Sequence, residues 1–216
     1  LDDASYKVPR YHFTRSAANA FASRFYLYKK DYEKTVQYAN AAVPDFLPNL
    51  RPWNTTYQTY GINNLPAEYQ KTTEPANLLL VTPSSIYNYA LNYVRYRYAL
   101  TPAIMSDVFD VPLEVTGGEW AYITGFVGSQ RNPAVPKLNY TDFALDNPTS
   151  DFGLPYGTIC LFTTEEVLFN KAEANAYLGN YNGAINDLNI FLSTRLTGVT
   201  PGSIPANMAL TQSKIR

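Results

Sequence analysis

Hydrolysis of a glycosidic bond needs two carboxyl groups held across a cleft, one as acid and the other as base or nucleophile. The chain holds eighteen acidic residues, and two pairs lie close in sequence: Glu114 with Glu119 about a Gly117-Gly118 turn, and Asp107 with Asp110. No local motif marks either pair for a raised pKa, and among so many acids such neighbours arise by chance. His12 is the sole histidine and has no Ser or Cys partner in a nucleophile motif. There is no G-x-S-x-G elbow, P-loop or G-x-G-x-x-G fingerprint, so triad hydrolysis and nucleotide binding have no support and His12 reads as a surface or loop residue. Asp142, Asp146, Asn147 and Asp151 form an acidic stretch suited to a hard cation such as calcium. They lack the spacing and central glycine of an EF-hand loop, so a solvated loop is expected, with no metal ligand and no cofactor assigned.

The aromatic residues carry more. Nineteen Tyr and eleven Phe accompany Trp53 and Trp120. Most such rings pack in a core with the polar tip reaching water or a partner. The two indoles stand elsewhere, in irregular polar contexts: Arg51-Pro52-Trp53-Asn54 and Gly117-Gly118-Glu119-Trp120. A pyranose stacks its apolar face on an aromatic ring, so both are candidate sugar platforms. Asn54, Tyr57, Tyr60, Tyr122 and Arg131 are the nearby groups that would bond sugar hydroxyls. The alternative is that each indole seals a loop onto a helical body.

Two helical hairpins must position these loops. From 16 to 30 the residues Ala17, Ala20, Phe21, Ala22, Phe25, Tyr26 and Leu27 cover most of a helix, an apolar face wide enough to need more than one neighbour. Lys29-Lys30-Asp31 breaks it, and Val36, Ala39 and Val43 mark a second helix that Pro44 stops. Downstream, Thr163 and Glu166 form a capping box, in which the Thr163 hydroxyl meets the Glu166 amide and the Glu166 carboxylate reaches back. That helix runs to Gly179-Asn180, and Ile185, Leu188 and Leu192 stripe its return. Tyr28-Lys29-Lys30-Asp31-Tyr32 aligns with Tyr177-Leu178-Gly179-Asn180-Tyr181, and small residues such as Ala172 and Ala184 stand where helices approach. A turn aromatic and a length near 34 residues are the tetratricopeptide pattern. Between the hairpins, Pro44 to Pro75 reads as irregular loop, Thr82-Pro83 opens a helix over 84–100, and 111–155 is loop-rich with strand-like runs around Trp120 to Val127. Loops of this length inside a folded domain are usually functional or disordered, and the aromatic content favours function.

A formal net charge of −1 provides no field for nucleic acid or an anionic membrane. Cys160 is alone, so no intrachain disulfide forms, and its Ile159 and Leu161 neighbours mark it as a buried hydrophobe. No apolar run approaches a membrane-spanning length.

The run Phe162-Thr163-Thr164-Glu165-Glu166-Val167-Leu168-Phe169-Asn170-Lys171-Ala172-Glu173-Ala174 resembles the SusD/RagB family's "T-x-x-E-x-L-x-x-K/R-A-E-A" helix. Gly179-Asn180-Tyr181 through Leu188-Asn189 is similar to its "G-x-Y-x-x-A-x-x-x-L-N". Pro136-Lys137 resembles the "vPK" before that helix, and 17–42 an earlier repeat. The family's lipidated N-terminal Cys, first repeat and C-terminal portion are missing, which implies a central fragment. The resemblance implies a mainly α fold: a SusD-like superhelix of tetratricopeptide-like hairpins with long aromatic-rich insertions. It implies one SusD-like domain over 1–216, with hairpins at 14–44 and 163–195 flanking an insertion at 45–162. It further implies a non-catalytic surface lipoprotein of a Bacteroidetes-type outer membrane, its lipid anchor outside this fragment. Such a protein binds oligosaccharide or another nutrient and delivers it to a SusC-like TonB-dependent transporter. A helical-repeat scaffold for protein partners is the alternative, and a glycosidase the third reading.

Overall fold

The computed structural model describes residues 3–83, 102–127, 130–134, 136, 141–145 and 153–214. The fold is mainly α. In chain order it runs α1 (Arg15–Tyr28), α2 (Tyr32–Ala42), α3 (Leu65–Gln70), β1 (Asn77–Val81), α4 (Pro102–Ile104, continued as a π turn over Met105–Phe109), β2 (Thr124–Val127) and β3 (Gln130–Pro133). There follow β4 (Thr141–Leu145), β5 (Gly153–Gly157), β6 (Ile159–Thr163), α5 (Thr164–Tyr177) and α6 (Tyr181–Ser193). The helix expected over 84–100 lies outside the described residues, as do Asp146, Asn147 and Asp151 of the acidic stretch.

Both expected hairpins form, and their turns agree bond for bond. At the first, Asp31 N–H donates to Tyr26 C=O and Lys30 N–H to Leu27 C=O; at the second, Asn180 N–H donates to Asn175 C=O and Gly179 N–H to Ala176 C=O. These are the paired bonds of a Schellman ending, which needs a left-handed residue after the helix. Lys30 (φ 61°) and Gly179 (φ 75°) supply it. The next residue then caps the returning helix: the Asp31 carboxylate accepts from Lys34 N–H and the Asn180 side chain from Gly183 N–H. The same local chemistry therefore turns the chain twice.

The hairpins pack side by side, α2 against α5. Ala17, Ala20, Ala39, Ala42, Ala172, Ala174 and Ala184 are buried, and their small side chains let the helices approach closely. Tyr32 stacks on Tyr177 with ring centroids 4.5 Å apart. Phe21 and Phe25 depart from the expected wide buried face of α1. They are 47% and 49% exposed, while Ser23 is buried in their stead and bonds within its own helix. Val36 is only half-buried, and Thr35 takes the interior position on α2.

The insertion is more regular than its sequence suggests. The region from Pro44 to Pro75 contains α3, and the apolar run Leu78-Leu79-Leu80 forms β1, antiparallel to β6. On β6 Cys160 and Phe162 point inward and Leu161 outward, so Cys160 is buried as expected. The strand-like run before Val127 is β2, paired with β3, whereas Trp120 makes a single bridge to Leu196. Thr163 ends β6 and caps α5 at once, accepting from Glu166 N–H at 3.4 Å. The other half of the expected capping box does not form, because the Glu166 carboxylate turns to Arg24 on α1. No helix among the described residues is long and apolar enough to cross a membrane.

Candidate functional site

A cavity of about 550 Å³ opens where α5 begins and α6 ends. Its size is that of a small-molecule site, typically about 300–1,000 Å³. The floor is helical: Thr163, Glu165, Glu166, Phe169 and Asn170 come from the start of α5, and Phe191 and Arg195 from the end of α6. The walls are loops: Trp53 and Tyr69 on one side, Phe109, Trp120, Ala121 and Tyr122 on the other, with Ala134 and Pro136. The two indoles, 67 positions apart in the numbering, therefore line one cavity.

Each wall is tied down. Trp53 lies 5.1 Å from the Tyr57 ring and 6.4 Å from Tyr69, and its carbonyl accepts from the Gln58 side chain at 2.9 Å. The Trp120 loop is clipped to the segment after α6, with Ala121 N–H on Arg195 C=O at 2.7 Å and Thr197 N–H on Glu119 C=O at 2.9 Å. Gly118 allows that approach, since a Cβ there would sit 2.8 Å from Leu196 Cδ1. Trp120 also packs on the Leu192, Leu196 and Val199 cluster. Both indoles are half-buried, so each seals its loop with one part of the ring and leaves another part to the cavity.

Below the aromatic walls lies a charge network built across the fold. Glu165 sits between two guanidinium groups, with Arg51 Nη1 donating to Oε2 at 2.7 Å and Arg195 Nη2 to Oε1 at 3.1 Å. Arg51 is 1% exposed; it also bonds Asn77 and lies 3.8 Å over the Tyr69 ring. Arg195 stacks on Phe191, and its Nη1 donates to Arg51 C=O and to Thr194. Burial alone would raise the Glu165 carboxyl, but the two arginines overcome it and hold it below the ordinary carboxylate range. Burial also pushes the Tyr69 hydroxyl up to about 12. Glu166 is engaged separately by Arg24, whose Nη2 donates at 2.6 Å.

The expected site residues divide. Trp53, Trp120 and Tyr122 line the cavity. Arg131 does not line it but braces Tyr122, donating from Nη2 to Tyr122 Oη at 2.7 Å and from Nη1 to Asp110 Oδ2 at 3.0 Å. Tyr57 is buried instead, its hydroxyl donating to Glu74 at 2.8 Å, which leaves no ring face for a sugar. Asn54 does not line the cavity; its Nδ2 donates to the carbonyls of Ser193, Leu196 and Val199 at 2.7–2.9 Å and fastens the end of α6. Tyr60 belongs to a second cavity with Leu47, Pro52 and Pro75. Glu114, Glu119 and Asp107 are exposed and do not line this cavity. His12 is exposed and stacks on Tyr6. Among the described residues no group of three or more His, Cys, Asp or Glu is placed to hold a metal ion.

Sequence reasoning missed Tyr69, Glu165, Phe191 and Arg195. Glu165 was legible only as an acid in the first turn of a helix, where the dipole favours it. A signal did exist in Arg51 and Arg195, charged residues beside apolar runs in a chain with only 16% charged residues. Compared with models of protein families, with curated proteins and with solved structures, the chain finds no match.

Proposed function

We propose that this chain binds an oligosaccharide or similar nutrient without cleaving it, as a SusD/RagB-type lipoprotein of the outer membrane that serves a SusC-like TonB-dependent transporter. The observation that carries the reading is the meeting of Trp53 and Trp120 in one cavity with Tyr69 and Tyr122. Aromatic faces with a few fixed polar groups are what a sugar requires, because ring stacking removes apolar surface from water while the polar groups orient hydroxyls. The tetratricopeptide-like part of the reading draws on the identical turns of the two hairpins. The binding-only part draws on the cavity's two carboxylates, Glu165 and Glu166, both held in ion pairs by arginine side chains.

The test is titration of the purified protein with a panel of oligosaccharides, followed by tryptophan fluorescence and calorimetry, with the same mixtures assayed for new reducing ends. One or two rings provide weak binding, so a Kd between micromolar and millimolar is expected, with no product. Steady product release, or no binding across a broad panel, overturns the proposal. A scaffold for protein partners has its own support in the hairpin turns, where Tyr28 and Tyr177 are 84% and 65% exposed beside a cavity lined by Arg24, Lys30, Tyr32 and Glu173. Under that reading Tyr28→Ala with Tyr177→Ala removes partner binding and the tryptophan variants do not.

A further inference from the structure

Resting on the reading of the cavity as a glycan site, we infer that its ligand is an acidic sugar, one whose singly charged anionic group docks on Arg195. Both guanidinium groups of the floor, Arg51 and Arg195, share the one carboxylate of Glu165. The second cavity carboxylate, Glu166, is matched by Arg24. Of the other buried acids among the described residues, Glu74 is bonded by Tyr57 and acts on Arg10, and Asp187 is paired with Lys171. Among the described residues one positive charge is left over beneath the cavity.

Arg195 is the group that can present it. Its side chain is 10% exposed and lines the cavity, whereas Arg51 is sealed behind it. Nη1 is occupied by Arg51 C=O and Thr194, and Nη2 by Glu165. Nε makes no hydrogen bond to a described residue. Phe191 covers one face of the guanidinium at 4.5 Å and keeps it in plane. A nearly buried cation that shares the single carboxylate of Glu165 with a second arginine, and keeps a donor unused, is costly unless a further negative charge meets it. A neutral hydroxyl can accept the Nε hydrogen bond but leaves the charge uncancelled. An anion does both, and charge-assisted bonds are roughly twice as strong as neutral ones. A uronate carboxylate and a sulfate ester share this chemistry.

The experiment uses the whole chain and oligosaccharides matched in backbone, in neutral, uronic and sulfated forms, measured by calorimetry at fixed ionic strength. The expected result is at least tenfold tighter binding of a charged form over its neutral match, and the tighter of the two charged arms identifies the group. Equal binding of all three forms overturns this inference and leaves the glycan site standing. Absence of binding to every form, across several backbones, removes the glycan reading and this inference with it. Arg195→Gln removes the charge and keeps a polar amide donor. In that variant, once circular dichroism shows it folded, the preference for the acid over its neutral match should fall below threefold. A preference kept in full would place the anion elsewhere and overturn the assignment to Arg195.

Discussion

Replacing Glu165 by Gln keeps the side chain's shape and deletes the charge that two buried arginines share. In the native fold Glu165 accepts from Arg51 at 2.7 Å and from Arg195 at 3.1 Å, with both guanidinium groups withdrawn from water. Glu165→Gln leaves those cations facing each other with one neutral acceptor oxygen between them, and its amide group would point a donor at a donor. Breaking a buried pair in this way costs about 3–5 kcal/mol. Domains of this kind are stable by about 5–15 kcal/mol, so the loss is roughly a fifth or more of the total. At about 2–4 °C per kcal/mol for a chain of this length, the Tm should fall by roughly 6–20 °C. The effect depends on pH with a definite sign. Because the folded carboxyl titrates below its ordinary 4.5, the unfolded chain takes up the proton first as pH falls. The stabilisation is therefore complete above about 4.5 and is lost as pH falls below it through the folded value. Glu165→Gln has none of that dependence, so the gap between wild type and variant should narrow in acid. Urea unfolding followed by tryptophan fluorescence at pH 7 and at pH 3.5 measures both quantities. An unfolding free energy at pH 7 within about 1 kcal/mol of wild type, or a gap that widens in acid, would refute the reasoning.

Asn54→Ala removes one amide donor from three carbonyls at the end of α6. It should cost about 2–4 kcal/mol in chemical denaturation while the folded variant keeps its glycan affinity. Trp53→Ala and Trp120→Ala should each weaken glycan binding severalfold by calorimetry, and as both indoles are half-buried, the stability lost should fall short of the roughly 3–5 kcal/mol of a fully buried ring. The two hairpin turns provide a paired test by thermal melts: Lys30→Gly should stabilise by a few tenths to about 1 kcal/mol, and Gly179→Ala should destabilise by about 1 kcal/mol or more, because both positions are left-handed.

Most of what is set within a turn or two of chain was legible in the residues alone. The 3.6-residue spacing of apolar residues, the caps at Thr14, Asp31, Thr163 and Asn180, and the left-handed step at Lys30 and Gly179 place both hairpins, because each acts over four or five residues. The irregular contexts of Trp53 and Trp120 likewise marked them as loop rings before any packing was known. Even β1 was present as the run Leu78-Leu79-Leu80, although a short apolar run does not separate strand from helix. The cavity was decided elsewhere. Tyr57 and Trp53 stand four residues apart in similar surroundings, and only the crossing of Glu74 beneath one of them makes it core. Asn54 looks like any polar loop residue until the end of α6 arrives 139 residues later to use its donors. Arg51 meets Glu165 across 114 residues and Arg195 meets it across 30, and no local rule links three charges so placed. Caps and periodicity are short-range free energies written in neighbouring residues. A buried ion network exists only once the chain has brought its members together and excluded water, so the tertiary structure alone could place it.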